Sequence, residues 1–172
     1  ENTMLPNILV VEPRRVAARS AAMRMTELLG PQESVGQTVG YTMRGERRWT
    51  KGVTQINVVT DGILLQRLRQ QNPTLDGAHA IIFDEFHERG VNSDTALALC
   101  SELQRVLELR PDLRLIVMSA TLLDDDGDAH DGKGRLFHAL GGEVYCNVVR
   151  SQGGRQVPTT IQWGATSRPG AA

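Results

Sequence analysis

A short apolar run, Ala80–Phe83, stops abruptly at Asp84, Glu85 and His87, and this feature constrains the fold most. The run does not alternate with polar residues, which is typical of a strand buried on both faces of a parallel sheet. Open α/β sheets bind ligands at the carboxyl ends of their strands, where both acids would lie. Adjacent carboxylates repel each other unless a cation compensates them, and Mg²⁺ carried by nucleotide phosphates suits such acids. We therefore expect Asp84 to hold Mg²⁺ and Glu85 to orient a water for phosphoryl transfer to solvent.

A simpler interpretation is that these acids only cap the next helix, because short motifs often occur without function. The rest of the chain therefore decides the question. Apolar runs alternate with helix-like segments, and this rhythm predicts an open, mostly parallel α/β sheet with helices on both faces. The pattern predicts strands at 7–11, 35–41, 55–60, 80–83, 113–118, 143–149 and 157–163, and helices at about 13–29, 63–68, 92–109 and 136–140.

Length and composition indicate one domain in an intracellular setting. At 172 residues, with 40% hydrophobic and 23% charged residues, the chain can bury one sizeable core. No apolar run is long enough to span a membrane and no signal-peptide pattern is present, so we expect a cytoplasmic or organellar protein that is neither secreted nor membrane-bound. Cys100 and Cys146 are too few for a disulfide framework and are expected to be buried thiols.

Charge is distributed unevenly along the chain. The first 70 residues are net basic and residues 71–135 are net acidic. Arg14, Arg15 and Arg19 crowd the start of a predicted helix, where the helix dipole disfavours positive charge. Such a cluster at the carboxyl edge of a strand suggests contacts with a phosphate backbone, although solvated arginines would give the same pattern.

Two further segments combine polar and small residues after a predicted strand. Thr60 or Asp61 could cap the following helix, whereas Gly62 removes a side chain where a nucleic-acid strand could approach the backbone. Gly127, Gly132 and Lys133 match part of a phosphate-loop pattern, but Gly134 replaces the Ser or Thr that binds Mg²⁺. Because no strand precedes these residues, we expect no phosphate loop there.

Taken together, the motifs resemble the DEAH/DExH-box helicases of superfamily 2, especially the HrpB-type branch of ATP-dependent RNA helicases. The resemblance extends to about Trp163. Five strings occur in the family's order: motif Ia at Pro13–Arg19, an arginine near the nucleic acid at Arg44, motif Ib at Thr60–Gly62, the Walker B box at Asp84–His87, and motif III at Ser119–Thr121. Phe86 stands where most of the family has Ala, which fits the HrpB-type variant.

The resemblance implies a RecA-like fold, ATP and Mg²⁺ as cofactors, and single-stranded or structured RNA as a partner, with DNA possible. It assigns Asp84 and Glu85 to Mg²⁺ binding and catalysis, and His87, Ser119 and Thr121 to coupling between hydrolysis and strand movement. It implies nucleic-acid contacts by eight residues: Pro13, Arg14, Arg15, Arg19, Arg44, Thr60, Asp61 and Gly62. A second RecA-like domain would complete the motor.

The family's Gly-Lys-Thr phosphate loop does not precede the first strand here, and the second domain with its arginine finger is also missing. We therefore expect residues 1–163 to form the first RecA-like domain without its phosphate-loop unit, followed by a disordered tail at 164–172. This chain alone is expected to bind ATP poorly and to hydrolyse it negligibly.

Three other functions compete with this interpretation. The chain could be a non-catalytic nucleic-acid-binding module that uses the RecA-like fold for contacts alone. It could belong to a helicase or translocase directed at DNA. A metalloenzyme with Asp84, Glu85 and His87 as ligands fits less well, because adjacent acids converge poorly on one metal.

Overall fold

A computed structural model describes residues 6–70, 75–119 and 135–149. Within these ranges the strands are β1 Ile8–Glu12, β2 Val39–Met43, β3 Glu46–Arg48, β4 Ile56–Thr60, β5 Ala80–Phe83 and β6 Arg114–Val117. The α-helices are α1 Arg15–Leu29, α2 Asp61–Leu68, α3 Val91–Ser101 and α4 Arg135–Ala139. Single 3₁₀ turns occupy Phe86–Glu88 and Gly142–Val144, and a π-helical segment, Glu102–Val106, extends α3. None of the helices in these ranges has the length and apolarity needed to cross a membrane.

The strands form one sheet in the order β3-β2-β4-β1-β5-β6. The pairs β2–β4, β4–β1, β1–β5 and β5–β6 are all parallel, and only β3 runs antiparallel to its neighbour β2. Five strands therefore end at the same edge of the sheet. This arrangement confirms the expected open, mostly parallel sheet and brings distant parts of the sequence to one edge.

Alternate residues of β1 pack into two different cores, which explains why this strand is apolar without alternation. Leu9 and Val11 contribute to the core beneath α2 and α3, whereas Val10 packs with the small residues Ala18 and Ala22 of α1. Because both faces of the sheet are covered by helices, a polar residue at any of these strand positions would be buried. The prediction of helices on both faces is confirmed.

The antiparallel hairpin was not anticipated. The sequence suggested a strand at 35–41 followed by a basic loop, but β2 begins at Val39 and the chain returns as β3. Gly40 permits this return: a Cβ there would lie 2.3 Å from the Arg48 carbonyl oxygen and 2.7 Å from the Trp49 Cβ. Glycine is required at this position because the hairpin backbone passes too close for any side chain.

Two other expected elements differ. The helix predicted at 92–109 stays α-helical only to Ser101 before the π-helical segment. The strand predicted at 143–149 is wrong, because the chain makes a 3₁₀ turn at Gly142–Val144 and leaves Val144 and Val149 exposed. An apolar run forms a strand only where a neighbouring strand can accept its backbone hydrogen bonds, and this segment pairs with none of the strands described. Cys100 is buried, as expected, and Cys146 is half-buried.

Several sequence predictions lie outside the described residues. These are Thr121 of motif III, the phosphate-loop-like residues 127–134, the strand predicted at 157–163 and the tail at 164–172.

Candidate functional site

The carboxyl edge of the sheet collects residues from five separate parts of the chain. Glu12 ends β1, Arg44 follows β2, Asp61 follows Thr60 at the end of β4, Asp84 follows β5, and Ser119 lies two residues beyond β6. Since these five strands are parallel, the segments that the sequence linked to nucleotide or nucleic acid meet at one edge. The strand order is what unites them.

The segment after β5 forms a tight turn that presents the two acids. The Asp84 N–H donates to the Val11 carbonyl at 3.0 Å, and the Glu85 N–H donates to the Asp84 carboxylate at 2.8 Å. Glu85 has a left-handed backbone with φ 49°, which is uncommon for a residue with a side chain. The turn therefore fixes the direction in which each acid leaves the sheet.

Phe86 anchors this turn in the core. It is 3% exposed, packs edge-to-face on Phe83 with ring centroids 6.1 Å apart, and its N–H donates to the Met118 carbonyl at 3.1 Å. The aromatic ring in the third position of the Walker B box is thus a packing residue. Its burial holds the neighbouring acids at the sheet edge.

His87 lies beside the second acid. Its Nδ1 atom is 3.3 Å from a carboxylate oxygen of Glu85, and both side chains are accessible to solvent. A histidine in this position can orient the carboxylate through a hydrogen bond. The coupling role that the family resemblance implies for His87 stays a prediction.

Glu12 is a third acid at this edge, and it was not among the residues predicted for the site. The residue is only 4% exposed, and its pKa is raised to about 7, first by burial and then by the negative charges of Asp84 and Glu85. A hydrogen bond between the Glu12 and Asp84 side chains also favours the protonated form. The signal available in the sequence was an acid that directly continues a buried apolar strand.

The acids do not form a closed metal cage. Among the described residues, no group of three or more His, Cys, Asp or Glu side chains is arranged to hold a metal ion. This result disfavours the metalloenzyme with Asp84, Glu85 and His87 as ligands. Mg²⁺ binds through one or two carboxylates and completes its coordination with phosphate oxygens and water, and its binding by Asp84 and Glu85 stays a prediction.

The three arginines at the start of α1 each contact another element of the same edge. Arg14 forms a two-pronged ion pair with Glu88, with an Nη2–Oε1 distance of 2.9 Å. Arg15 donates to the Arg44 carbonyl at 2.6 Å. Arg19 pairs with Glu46 of β3. The pKa of Glu46 is lowered first by a hydrogen bond from Tyr41 and then by the hydrogen bond from Arg19. The sequence predicted phosphate contacts here, and the structure adds internal partners for all three side chains.

The hairpin after β2 carries further positive charge. Arg44 is exposed at its turn, and the guanidinium of Arg47 lies 5.0 Å from the centre of the Trp49 ring, a cation–π distance. Burial lowers the pKa of nearby Arg67 to about 10, and the charge of Arg47 adds to the effect. The exposed Arg44 and Arg47 therefore add positive charge to the hairpin, whose turn contacts Arg15 at the start of α1.

The segment from Thr60 to Gly62 is ordered by local contacts. Thr60 is mostly buried and its side chain does not cap α2. The Asp61 carboxylate accepts the Gly62 N–H at 2.6 Å and the Ser93 hydroxyl at 3.3 Å. Gly62 is exposed, and the nearest atom to a Cβ placed there is the Asn92 side-chain nitrogen at 3.9 Å. The fold itself does not require glycine at position 62.

Ser119 follows β6 on the other side of the acids. The Met118 N–H donates to the Phe83 carbonyl at 2.8 Å, which ties this strand end to the one that precedes the acids. Pro13 lies between β1 and α1, where its fixed backbone starts the turn into the helix. Of the residues predicted for the site, only Thr121 lies outside the described residues.

Comparison with known proteins gives a consistent result. A family model described as DEAD/DEAH box helicase matches residues 2–127. The ATP-dependent RNA helicase HrpB of Escherichia coli is 48% identical over 118 residues, which are 69% of this chain and 14% of that protein. The ATP-dependent RNA helicase DHX30 of Gallus gallus is 40% identical over 147 residues, 86% of this chain and 10% of that protein.

Solved structures resemble the fold as well. The crystal structure of E. coli DExH-box NTPase HrpB matches with a TM-score of 0.62 and 44% identity, over 73% of this chain and 15% of that one. The chain thus spans a small part of the length of each relative.

Proposed function

Since the chain belongs to the DEAD/DEAH box helicase family, we propose that it supplies the ATP-binding, RecA-like part of an ATP-dependent RNA helicase. One observation carries the proposal: the acids after β5 and the arginines at the start of α1 meet at a single edge of the sheet. Nucleotide chemistry and nucleic-acid contact are thereby adjacent in space, as a motor that couples them requires. In this proposal residues 1–163 form one RecA-like body, which works inside the cell with a second RecA-like domain.

In the proposed reaction, Asp84 and Glu85 bind Mg²⁺ together with the phosphates of ATP. When bound there with ATP, Mg²⁺ would supply positive charge to stabilise the charge on the transferring phosphoryl group. Glu85 orients the attacking water, and the nearby His87 restrains the Glu85 carboxylate. Phe86 keeps both acids at the sheet edge through its burial.

The nucleic-acid strand is proposed to run past the start of α1, the hairpin turn and the start of α2. Pro13, Arg14, Arg15, Arg19 and Arg44 supply the first part of this path, and Thr60, Asp61 and Gly62 the second. Contacts with phosphates rather than base edges allow a motor to move along any sequence. Ser119 and Thr121 are proposed to couple hydrolysis to strand movement.

The first test is ATP hydrolysis by the full-length protein, meaning the proposed helicase that contains this chain, with and without single-stranded RNA. We expect RNA-stimulated turnover that falls by at least about 100-fold in a Glu85→Gln variant, since a positioned general base typically contributes about 10²–10⁴-fold. ATP binding, measured separately with a fluorescent analogue, should be retained in this variant. Glu27→Gln, which alters an exposed acid on α1 outside the site, serves as the matched control.

The same assay separates the competing functions. Stimulation by single-stranded DNA but not by RNA would assign the protein to a DNA-directed helicase or translocase. RNA binding without any turnover would instead identify a nucleic-acid-binding module. Equal turnover in the wild-type and Glu85→Gln proteins would contradict the catalytic assignment.

A further inference from the structure

The 3₁₀ turn Phe86–Glu88 is bounded on both sides by an unusual backbone. Glu85 and Arg89 both adopt a left-handed conformation with φ 49°, although neither is glycine. Such residues carry an energetic penalty, and they persist only where surrounding contacts hold them in place. The contacts that hold this turn therefore control where Glu85 and His87 lie.

Three sets of contacts hold the turn. Phe86 packs in the core with its N–H bonded to the Met118 carbonyl. Arg89 pairs with Asp94 at 3.2 Å and lies over the Phe86 ring at 5.8 Å from its centre. The first set joins the turn to Met118, just beyond β6, and the second joins it to Asp94 of α3. The third contact, between Glu88 and Arg14, joins it to the element assigned to nucleic acid.

The geometry of this third contact resembles that of an arginine bound to a phosphate. The Arg14 Nε and Nη2 atoms approach the two carboxylate oxygens of Glu88 at 3.2 and 2.9 Å. Carboxylates and phosphates both accept the planar fork of a guanidinium in this way. The Arg14 side chain is 71% exposed, so an external phosphate can reach it, whereas Glu88 is 29% exposed.

Neither of the neighbouring arginines makes an equivalent link. Arg19 pairs with Glu46 on β3, and Arg15 bonds to a backbone carbonyl in the hairpin turn. Within the described residues, Arg14 is therefore the residue of this cluster whose ion pair leads to the turn that carries the catalytic acid.

We propose that Glu88 acts as an internal competitor for Arg14, and that a nucleic-acid phosphate displaces it and so releases one anchor of the turn holding Glu85 and His87. This inference rests on the proposed function, since it requires nucleic acid at the start of α1. It makes Glu88 a positioning residue that transmits nucleic-acid binding to the nucleotide site. It also explains why the Glu88 carboxylate contacts Arg14, a residue that is expected to bind phosphate.

The proposal predicts that neutralising Glu88 strengthens RNA binding. Removing the charge in Glu88→Gln frees Arg14, so RNA affinity should rise by about 2- to 5-fold, the range for loss of an exposed competing ion pair. The gain should be largest at low salt, because screening weakens both the internal pair and the phosphate contact. A pair that served only to stabilise the fold would leave RNA affinity unchanged or reduce it.

Binding of a fluorescein-labelled single-stranded RNA to the full-length protein, followed by anisotropy at two salt concentrations, tests this prediction. Glu27→Gln is the control, because it breaks the exposed Arg24–Glu27 pair, with an N–O distance of 3.3 Å, on the same helix. It should leave RNA affinity unchanged. Glu88→Asp keeps the charge but shortens its reach, and it should give a smaller gain than Glu88→Gln.

Hydrogen exchange supplies the second measurement. We expect the amides of the Phe86–Glu88 turn to exchange faster in wild-type protein after RNA is added, and equally fast in Glu88→Gln without RNA. If RNA binds the wild type but Glu88→Gln behaves like Glu27→Gln in both assays, the competition is disproved while the proposed function stands. If the wild type binds no RNA at either salt concentration, the proposed function fails and the competition fails with it.

Discussion

The two halves of the sheet edge handle charge in opposite ways. Around β1 and β5, Glu12, Asp84 and Glu85 place like charges together, and burial followed by the charges of the other two acids raises the pKa of Glu12 to about 7. Around β2 and β3, Arg19 and Glu46 meet as opposite charges, and their contact raises the pKa of Arg19. The like charges of the acidic half are therefore left in conflict by the fold, whereas Arg19 in the basic half is paired with a carboxylate.

This difference in charge pairing indicates which half of the edge favours a cation and which favours an anion. A cation that binds the acidic half relieves repulsion built into the fold. An anion that binds the basic half must compete with carboxylates already present. The Arg14–Glu88 pair joins the two halves, since its arginine directly precedes α1 and its acid belongs to the turn after β5.

The largest expected effect comes from removing Phe86, whose burial holds the acidic half of the sheet edge in place. Phe86→Ala should lower the free energy of unfolding by about 3–5 kcal/mol, because it deletes a buried aromatic side chain packed on Phe83. Urea denaturation measures the change. Val16→Ala on α1 is the control, since Val16 is 77% exposed and should change stability by less than about 0.5 kcal/mol. Equal effects of the two substitutions would contradict the packing role of Phe86.

The charge conflict itself can be removed with Glu12→Gln. The folded-state pKa of Glu12, about 7, lies above its ordinary value of 4.5. Below about pH 4.5 the Glu12 carboxyl is protonated in both the folded and the unfolded state, so it does not lower the free energy of unfolding. As pH rises towards 7 only the unfolded state ionises, so the wild-type protein loses stability, and the full loss is present above pH 7.

Relative to wild type, Glu12→Gln should therefore gain about 1–3 kcal/mol of stability between pH 5 and pH 8. Urea denaturation at the two pH values measures this gain. Val16→Ala, at an exposed and uncharged site on α1, is the control and should change stability equally at both pH values. A Glu12→Gln protein whose stability followed the wild type at both pH values would show that neither burial nor the neighbouring acids disfavour the ionised form of Glu12.

A third test sharpens the view of the basic half. Arg14→Gln and Arg15→Gln should each weaken RNA binding and reduce the slope of log affinity against log salt by about 0.7–1, the value for one phosphate contact. Anisotropy titrations over a range of salt concentrations measure the slope. Arg24→Gln, further along the same helix, should change neither quantity. Unchanged slopes in the first two variants would mean that these arginines serve only their internal partners.

The smallest expected effect concerns Gly62. A Cβ there meets nothing closer than 3.9 Å, so Gly62→Ala should change stability by less than about 1 kcal/mol, favourably if at all, because alanine suits a helix better. Its RNA affinity should nevertheless fall if a nucleic-acid strand approaches this backbone. Thermal denaturation and anisotropy on the same sample separate the two effects. A loss of stability without a loss of affinity would assign Gly62 to the fold.

The sequence by itself determined the parallel strands, their covering helices and most of the residues that meet at the carboxyl edge of the sheet, but not Glu12. Uninterrupted apolar runs such as Ala80–Phe83 report burial on both faces, and the polar residues that follow them mark the strand ends. These are local signals, because each depends on the periodicity of a few neighbouring residues. The run at 143–149 misled the prediction because burial also requires a partner strand, which local pattern does not reveal.

Only the tertiary structure decided how the charges at the edge are combined. Glu12 became a partner of Asp84 because β1 and β5 are neighbours in the sheet, although the two acids are far apart in sequence. Arg14 met Glu88 for the same reason, and the hairpin brought Glu46 to Arg19. Electrostatic interactions depend on distance through space, and strand order sets that distance. The chemistry of the edge is therefore a property of the assembled sheet.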